Sequence, residues 1–376
     1  MYERNQPTNQ PTNQPTNQPT NQPTNRLEYI DALRGFIMII IVYWHINYFS
    51  FDVLKVINQI NSFENIFLLF GMPLFFFISG LFAYKDNQIW DWKNSIKYIG
   101  AKFRQLIIPS IIFLGLFVYI FNLSFIDSLY SPGKFGYWFT ISLFEYFVLY
   151  VLIAKLLNKI KHSWKYDISL LIIGLFIFFA TISPQKVLSL IGISDTLPNA
   201  LGYNNFQYFI YFVLGVIVKR RFDLFKKYLN NSILTGLTIA LFFIIALIWI
   251  KEGAVHGVAI NLLIVIFLPI AGTFVSFSFF YKYQNCFTKE KRIGRVLQYI
   301  GRRTLDIYLL HYFFLPRNLK MVGEWFTENI NPTLEFFVSI ALAAMVIALC
   351  LVVSSIIRIS PLLANWLFGV KTPIRD

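Results

Sequence analysis

Residues 32–51 read ALRGFIMIIIVYWHINYFSF, an apolar run whose chemically notable interruptions are Arg34 and His45. Apolar residues occupy consecutive positions and do not alternate with polar ones, so the segment has no face to offer water. In lipid each backbone amide must be satisfied within its own helix or in a closed barrel, and a continuous apolar run of about 20 residues therefore reads as a membrane-crossing helix. Further runs of this kind follow at Asn65 to Tyr84, Gln105 to Leu123, Tyr137 to Leu157, Tyr166 to Ser183, Phe206 to Val218, Ile233 to Ile250, Val255 to Phe280, Thr304 to Leu315 and Leu334 to Ile357. The expected fold class is an all-α membrane protein, a bundle of about ten transmembrane helices.

The composition suits lipid exposure. Hydrophobic residues make up 56% of the chain and aromatics 19%, and the mean hydropathy is positive, a balance that would precipitate a water-soluble domain. Short loops keep Lys and Arg on the cytoplasmic side of a membrane. With the N-terminus inside, 27 of the 33 basic residues fall in every second connection, including Lys85 to Arg104, Lys219 to Lys227 and Lys282 to Arg303. Lys55, Lys134, Lys186, Lys251, Arg317 and Lys320 fall on the other side. Both termini are expected in the cytoplasm, and the net charge of +14 follows from insertion, with no nucleic-acid partner. Cys286 lies at the inner side and Cys350 within the last run, which argues against a disulfide framework. No cleavable signal peptide is visible, since the first apolar run is long and follows a polar leader.

That leader holds five copies of Asn-Gln-Pro-Thr from Asn5 to Thr24. Proline at every fourth position forbids a helix and leaves no core to bury, so residues 1–25 are expected to be a disordered leader. The codons AAC CAA CCA ACC write the unit as one tetranucleotide repeated, which resembles the phase-variable switches that host-adapted bacteria place on genes for surface structures. Residues 26–357 form the expected transmembrane domain, and 358–376 a cytoplasmic tail.

Charged and imidazole side chains inside a span are costly and so mark candidate sites. His45, Glu145, Asp306 and His311 qualify, while Arg34 and Arg104 lie at the cytoplasmic mouths of their spans. Arg34 and His45 are eleven residues apart, which returns a helix to within roughly 20° of one face after a rise of about 16 Å. A cation at the inner surface and an imidazole near mid-membrane would suit an anionic donor entering from the cytoplasm. The rival reading makes Arg34 an insertion anchor, paired locally with Asp31, and His45 a packed donor between helices. Asp306 can neutralise Arg302 and Arg303 from three and four residues away. Ser79, beside Gly80, reads as a close-packing position and not as a nucleophile. His162 and His256 fall in connections and carry no signal.

Several ordered stretches resemble the integral-membrane acyltransferase family, acyltransferase type 3. Arg26 to Gly35 with the apolar residues on to His45 is similar to its first helix, and Met72-Pro73-Leu74-Phe75-Phe76-Phe77-Ile78-Ser79-Gly80 to its second. Lys102-Phe103-Arg104 before Pro109, Tyr137-Trp138-Phe139 through Glu145, and Thr304-Leu305-Asp306-Ile307-Tyr308-Leu309-Leu310-His311 resemble later ones in the same order. Gln105 after Arg104 departs from the family's basic cluster, and no soluble extracytoplasmic domain follows the last run. The resemblance implies an acetyl-CoA-dependent O-acetyltransferase in the bacterial inner membrane, acting on a surface or lipid-linked glycan: lipopolysaccharide, lipooligosaccharide or capsule. It places the functional Arg and His on Arg34 and His45.

Acyl transfer needs an activated hydroxyl and a dock for the donor's phosphates. His45 with Glu145 to orient it is the expected catalytic pair, and Arg34, Lys102 and Arg104 the expected CoA-binding set. Trp138, Tyr308 and His311 are expected to meet the acceptor, Trp138 by stacking on sugar and the other two by sharing a helix face. Membrane lipids are the expected surroundings, and no metal is expected. A transporter or flippase for a glycolipid would also place polar residues in a bundle.

Overall fold

The computed structural model describes residues 27–51, 63–86, 88–181, 198–199, 202–252, 258–329 and 331–370. The leader repeat, Lys55, Lys186, His256 and residues 371–376 lie outside them. Every described element is helical.

Helix α1 (Glu28–His45) runs through the centre and continues into a wide π turn at Ile46–Ser50. Helix α2 (Phe63–Ala83) is followed by α3 (Trp92–Lys102), a second π turn at Phe103–Ile107, and α4 (Ile108–Ile120). The short α5 (Phe125–Tyr130) precedes α6 (Trp138–Leu156) and α7 (Trp164–Thr181). Then come α8 (Phe209–Arg220), α9 (Phe222–Asn230), α10 (Ser232–Glu252) and α11 (Val258–Lys282). The chain closes with α12 (Arg292–Arg302), α13 (Thr304–Phe314), α14 (Lys320–Glu328), α15 (Pro332–Ile357) and α16 (Pro361–Phe368).

Each apolar run expected to cross the membrane coincides at least in part with a helix. Among the described residues, five helical stretches are long and apolar enough to span a bilayer: Glu28–Ser50, Trp92–Ile120, Trp138–Leu156, Trp164–Thr181 and Pro332–Ile357. A sixth, Phe222–Asn230 with Ser232–Ile248, is bent by 82°. The stretch Trp92–Ile120 begins thirteen residues before the apolar run that announced it, and Asp91 caps α3 there by accepting a hydrogen bond from Asn94 N at 2.7 Å. The π turn then carries that helix across the basic residues into the apolar segment without a break.

Two reciprocal glycine pairs bring helices into backbone contact. A Cβ on Gly35 would overlap the Leu297 carbonyl of α12, and one on Gly301 would overlap the Asp31 carbonyl of α1. Gly80 and Gly215 stand in the same reciprocal relation, each against the backbone of the other's helix, and lock α2 to α8. Without a hydrophobic drive between helices in lipid, such backbone-to-backbone approach is a principal source of association.

One expectation is corrected. Asp306 does not neutralise Arg302 and Arg303; it accepts from Arg358 Nε at 2.7 Å and Nη2 at 2.9 Å, and also from Ser354. Arg303 donates instead to the hydroxyls of Ser355 at 2.7 Å and Ser354 at 3.3 Å. Asp306 is almost fully buried on α13, and the bidentate guanidinium reaches it from the end of α15. The described part of the segment after Arg358 packs onto the bundle. Ser360 caps α16, Phe368 stacks on Phe113 of α4 at 6.1 Å, and Gly369, in a left-handed conformation at the helix end, abuts Gln105. Both cysteines are free, Cys286 exposed and Cys350 buried.

Candidate active site

Arg34 leaves the first turns of α1 half-buried and donates from Nη2 to Thr304 Oγ1 at 2.8 Å, with Asp31 3.9 Å from Nη1. It lines a cavity of about 260 Å³ together with Lys102, Gln105, Ser79, Thr304 and Tyr308. The Lys102 ammonium sits 4.1 Å from the centre of the Phe147 ring, a cation–π contact that leaves its charge at the cavity wall. Arg104 is exposed and lines neither this cavity nor the next. With Lys102 on the wall, positions 105 and 106, three and four residues on, share its helix face, whereas 104 is turned about 200° away. Gln105, which reads as a departure from the family pattern, borders the cavity although it is itself exposed.

Eleven residues along α1, His45 lines a second cavity of about 150 Å³. Ile41, Met72, Phe139 and Tyr308 border both spaces, so the two adjoin. One face of α1 thus presents a guanidinium to the first cavity and an imidazole to the second, as its spacing requires.

His45 is buried, and its Nε2 lies 3.0 Å from the Tyr312 hydroxyl. Glu145 is not its partner. The rings against His45 are those of Trp44, Phe49, His311 and Tyr312. Glu145 points along α6 to Gly202 and acts electrostatically on Lys134, while its Oε2 is buried with no hydrogen-bond partner. Lys134 is buried in the loop before α6 and donates to the carbonyls of Leu129 at 3.0 Å and Asn199 at 3.3 Å. Burial lowers its ammonium below the usual lysine range, and Glu145 works against that shift.

Lys134 and Phe135 both take positive φ, 44° and 48°, and Gly136 follows at 98°. Left-handed backbone at two residues with side chains is strained and needs surrounding contacts to hold it. The strain turns the Gly136 carbonyl towards α13, where it accepts from the hydroxyls of Tyr308 and, at 3.3 Å, Tyr312. Phe139 N donates to Tyr308 Oη at 3.1 Å. A Cβ on residue 136 would overlap the Tyr312 phenol, so glycine is required twice over.

Trp138 does line the second cavity, with its ring stacked on Tyr208 at 5.8 Å. Tyr308 borders both cavities. His311 does not share that position. It is fully buried behind Tyr312, ring centroids 3.9 Å apart, with Nδ1 3.0 Å from the Ile307 carbonyl. The helix face meeting the cavity runs through positions 308 and 312, four apart, and not through 308 and 311.

A family model described as an acyltransferase domain, of type 3, matches residues 27–355, which contain every residue of both cavities. The chain belongs to the acyltransferase type 3 family. A second model, described as a PT disordered repeat, matches residues 4–28. No curated protein and no solved structure matches the chain. This multi-pass membrane acyltransferase therefore carries a charged cavity and an imidazole-lined cavity end to end within its family domain. Tyr312, Gly136, Thr304 and Tyr208 are the site residues that sequence reading passed over. The i+4 spacing from Tyr308 was the available signal for Tyr312. Gly136 had no signal, because what it touches is 176 positions away.

Proposed function

We propose that the protein transfers an acetyl group from cytoplasmic acetyl-CoA to a hydroxyl of a surface or lipid-linked glycan such as lipopolysaccharide, lipooligosaccharide or capsule. In this reading the chain crosses the bacterial inner membrane ten times with both termini inside, and the Arg34 end of α1 faces the cytoplasm. The observation that carries it is the meeting of the two cavities at Ile41, Met72, Phe139 and Tyr308, with fixed cations at one end and a buried imidazole at the other.

Arg34 and Lys102 hold the donor's phosphates, the guanidinium as a planar fork and the ammonium as a point charge. The pantetheine arm extends through the apolar waist and brings the thioester to the second cavity, a distance of about 16 Å along α1. The acceptor hydroxyl arrives from the opposite side, its sugar against Trp138 and Tyr208. Its oxygen attacks the thioester carbonyl carbon while His45 takes up the hydroxyl proton. Collapse of the tetrahedral intermediate breaks the C–S bond, and the proton returns from His45 to the CoA thiolate. The products are an O-acetyl ester and free CoA.

The test is chemical. Membrane vesicles containing the protein and their own acceptor, supplied with acetyl-CoA, should release free CoA and gain acetyl on the glycan by mass spectrometry. His45→Ala should stop both at unchanged membrane abundance. Glycolipid movement without CoA release would establish a transporter instead. The leader fits a gene switched by repeat slippage, and synonymous codons scattered through Asn5 to Thr24 would end that part of the reading.

A further inference from the structure

We propose that Tyr312 relays the proton between the acceptor hydroxyl and His45, with the Gly136 carbonyl as the resting place of the phenolic hydrogen after transfer. The inference rests on the acyl-transfer reading and adds a catalytic residue to it.

Four observations combine. Tyr312 Oη lies 3.0 Å from His45 Nε2 and 3.3 Å from the Gly136 carbonyl, so one hydroxyl has two acceptors in reach. Tyr312 lines the same cavity as His45, so a substrate hydroxyl there can reach the phenol oxygen. Tyr308 does not compete for the imidazole: Phe139 N donates to its oxygen, and its own hydrogen is committed to Gly136. The left-handed backbone at 134–136 holds that carbonyl against α13, within reach of both tyrosine hydroxyls.

These contacts satisfy both ends of a relay. Before transfer, the Tyr312 O–H donates to the lone pair on His45 Nε2, and the acceptor's O–H donates to Tyr312 Oη. As the acceptor oxygen attacks the thioester carbon, the phenolic proton passes to Nε2 and the acceptor's proton passes to Tyr312. The phenol is neutral again, and its new hydrogen points to the Gly136 carbonyl. The imidazolium now donates from Nε2 to Tyr312 Oη. When the C–S bond breaks, the reverse sequence delivers one proton to the departing thiolate. Bonds and charges balance with no further reactant. Direct attack at Nε2 would instead require the substrate to displace the phenol from a nitrogen it already occupies.

The experiment uses vesicles carrying the full-length chain, acetyl-CoA as donor and CoA release as readout. Tyr312→Phe should lower the maximal rate by about 100-fold, the usual range for a proton-transfer group, with little change in KM for acetyl-CoA. His45→Ala and the double variant should be equally inactive, because both residues serve one chain of transfers. If Tyr312→Phe fails to accumulate, the wild type still decides: the maximal rate in H2O–D2O mixtures should follow a bowed line, two protons moving together. A maximal rate close to wild type in Tyr312→Phe, or a straight or flat mixture plot, overturns the relay. Absence of CoA release from the wild type overturns the acyl-transfer reading itself, which separates the two failures.

Discussion

Arg34 and Gly136 are the residues at which single substitutions should speak most clearly. Arg34 makes a directional hydrogen bond to Thr304 and faces the first cavity, so a charge at the right place is not enough for its proposed role. Arg34→Ala should raise KM for acetyl-CoA by about 10- to 100-fold, the worth of a charge-assisted hydrogen bond, while Arg34→Lys should recover only part of that loss. Steady-state kinetics in vesicles would check it. Arg104→Ala should leave KM near the wild-type value, since that side chain is exposed and lines neither cavity. Gly136→Ala meets two obstacles, a positive φ and the Tyr312 phenol. It should abolish CoA release even where the protein still inserts, which quantitative immunoblotting of membranes alongside the assay would show.

At the scale of helices, the glycine pairs and one ion pair hold the site's walls. Gly35→Leu would push α12 away from α1 and carry α13, with Thr304, Tyr308 and Tyr312, out of register. It should lower the melting temperature in detergent and the activity together. Arg358→Ala leaves Asp306 buried with only Ser354 for company, and unpaired buried charge costs about 3 kcal/mol or more. A lowered thermal midpoint in detergent is the expected result, with Arg358→Lys in between because it cannot bond in bidentate fashion. Both π turns sit beside site residues, one directly after His45 and one directly after Lys102. Arg104 was expected at the site from its place in the basic cluster, whereas ordinary helical spacing from Lys102 puts Gln105 and Leu106 at the cavity wall.

For the whole molecule, the proposed orientation makes a labelling prediction. Cys286, exposed beyond the end of α11, should react with a membrane-impermeant maleimide in inside-out vesicles and not in intact cells. Cys350, buried in α15, should react in neither until the protein is denatured. Labelling of Cys286 from outside would invert the topology and place the Arg34 end of the cavity away from cytoplasmic acetyl-CoA.

The amino-acid sequence by itself determined that this is a helical membrane protein, that its apolar runs are at least in part helical, and that Arg34 and His45 share one face of the first. These properties follow from local composition and helix periodicity, which a linear chain carries in full. The ordered motifs also carried the family. Tertiary structure alone decided the partners: Tyr312 and not Glu145 for His45, Arg358 and not Arg302 or Arg303 for Asp306, Gln105 and not Arg104 at the cavity. Each of those outcomes depends on which helices approach one another, on which face of a helix meets the cavity, or on a strained loop aiming one carbonyl. Such contacts join positions tens to hundreds of residues apart, and no local periodicity records them.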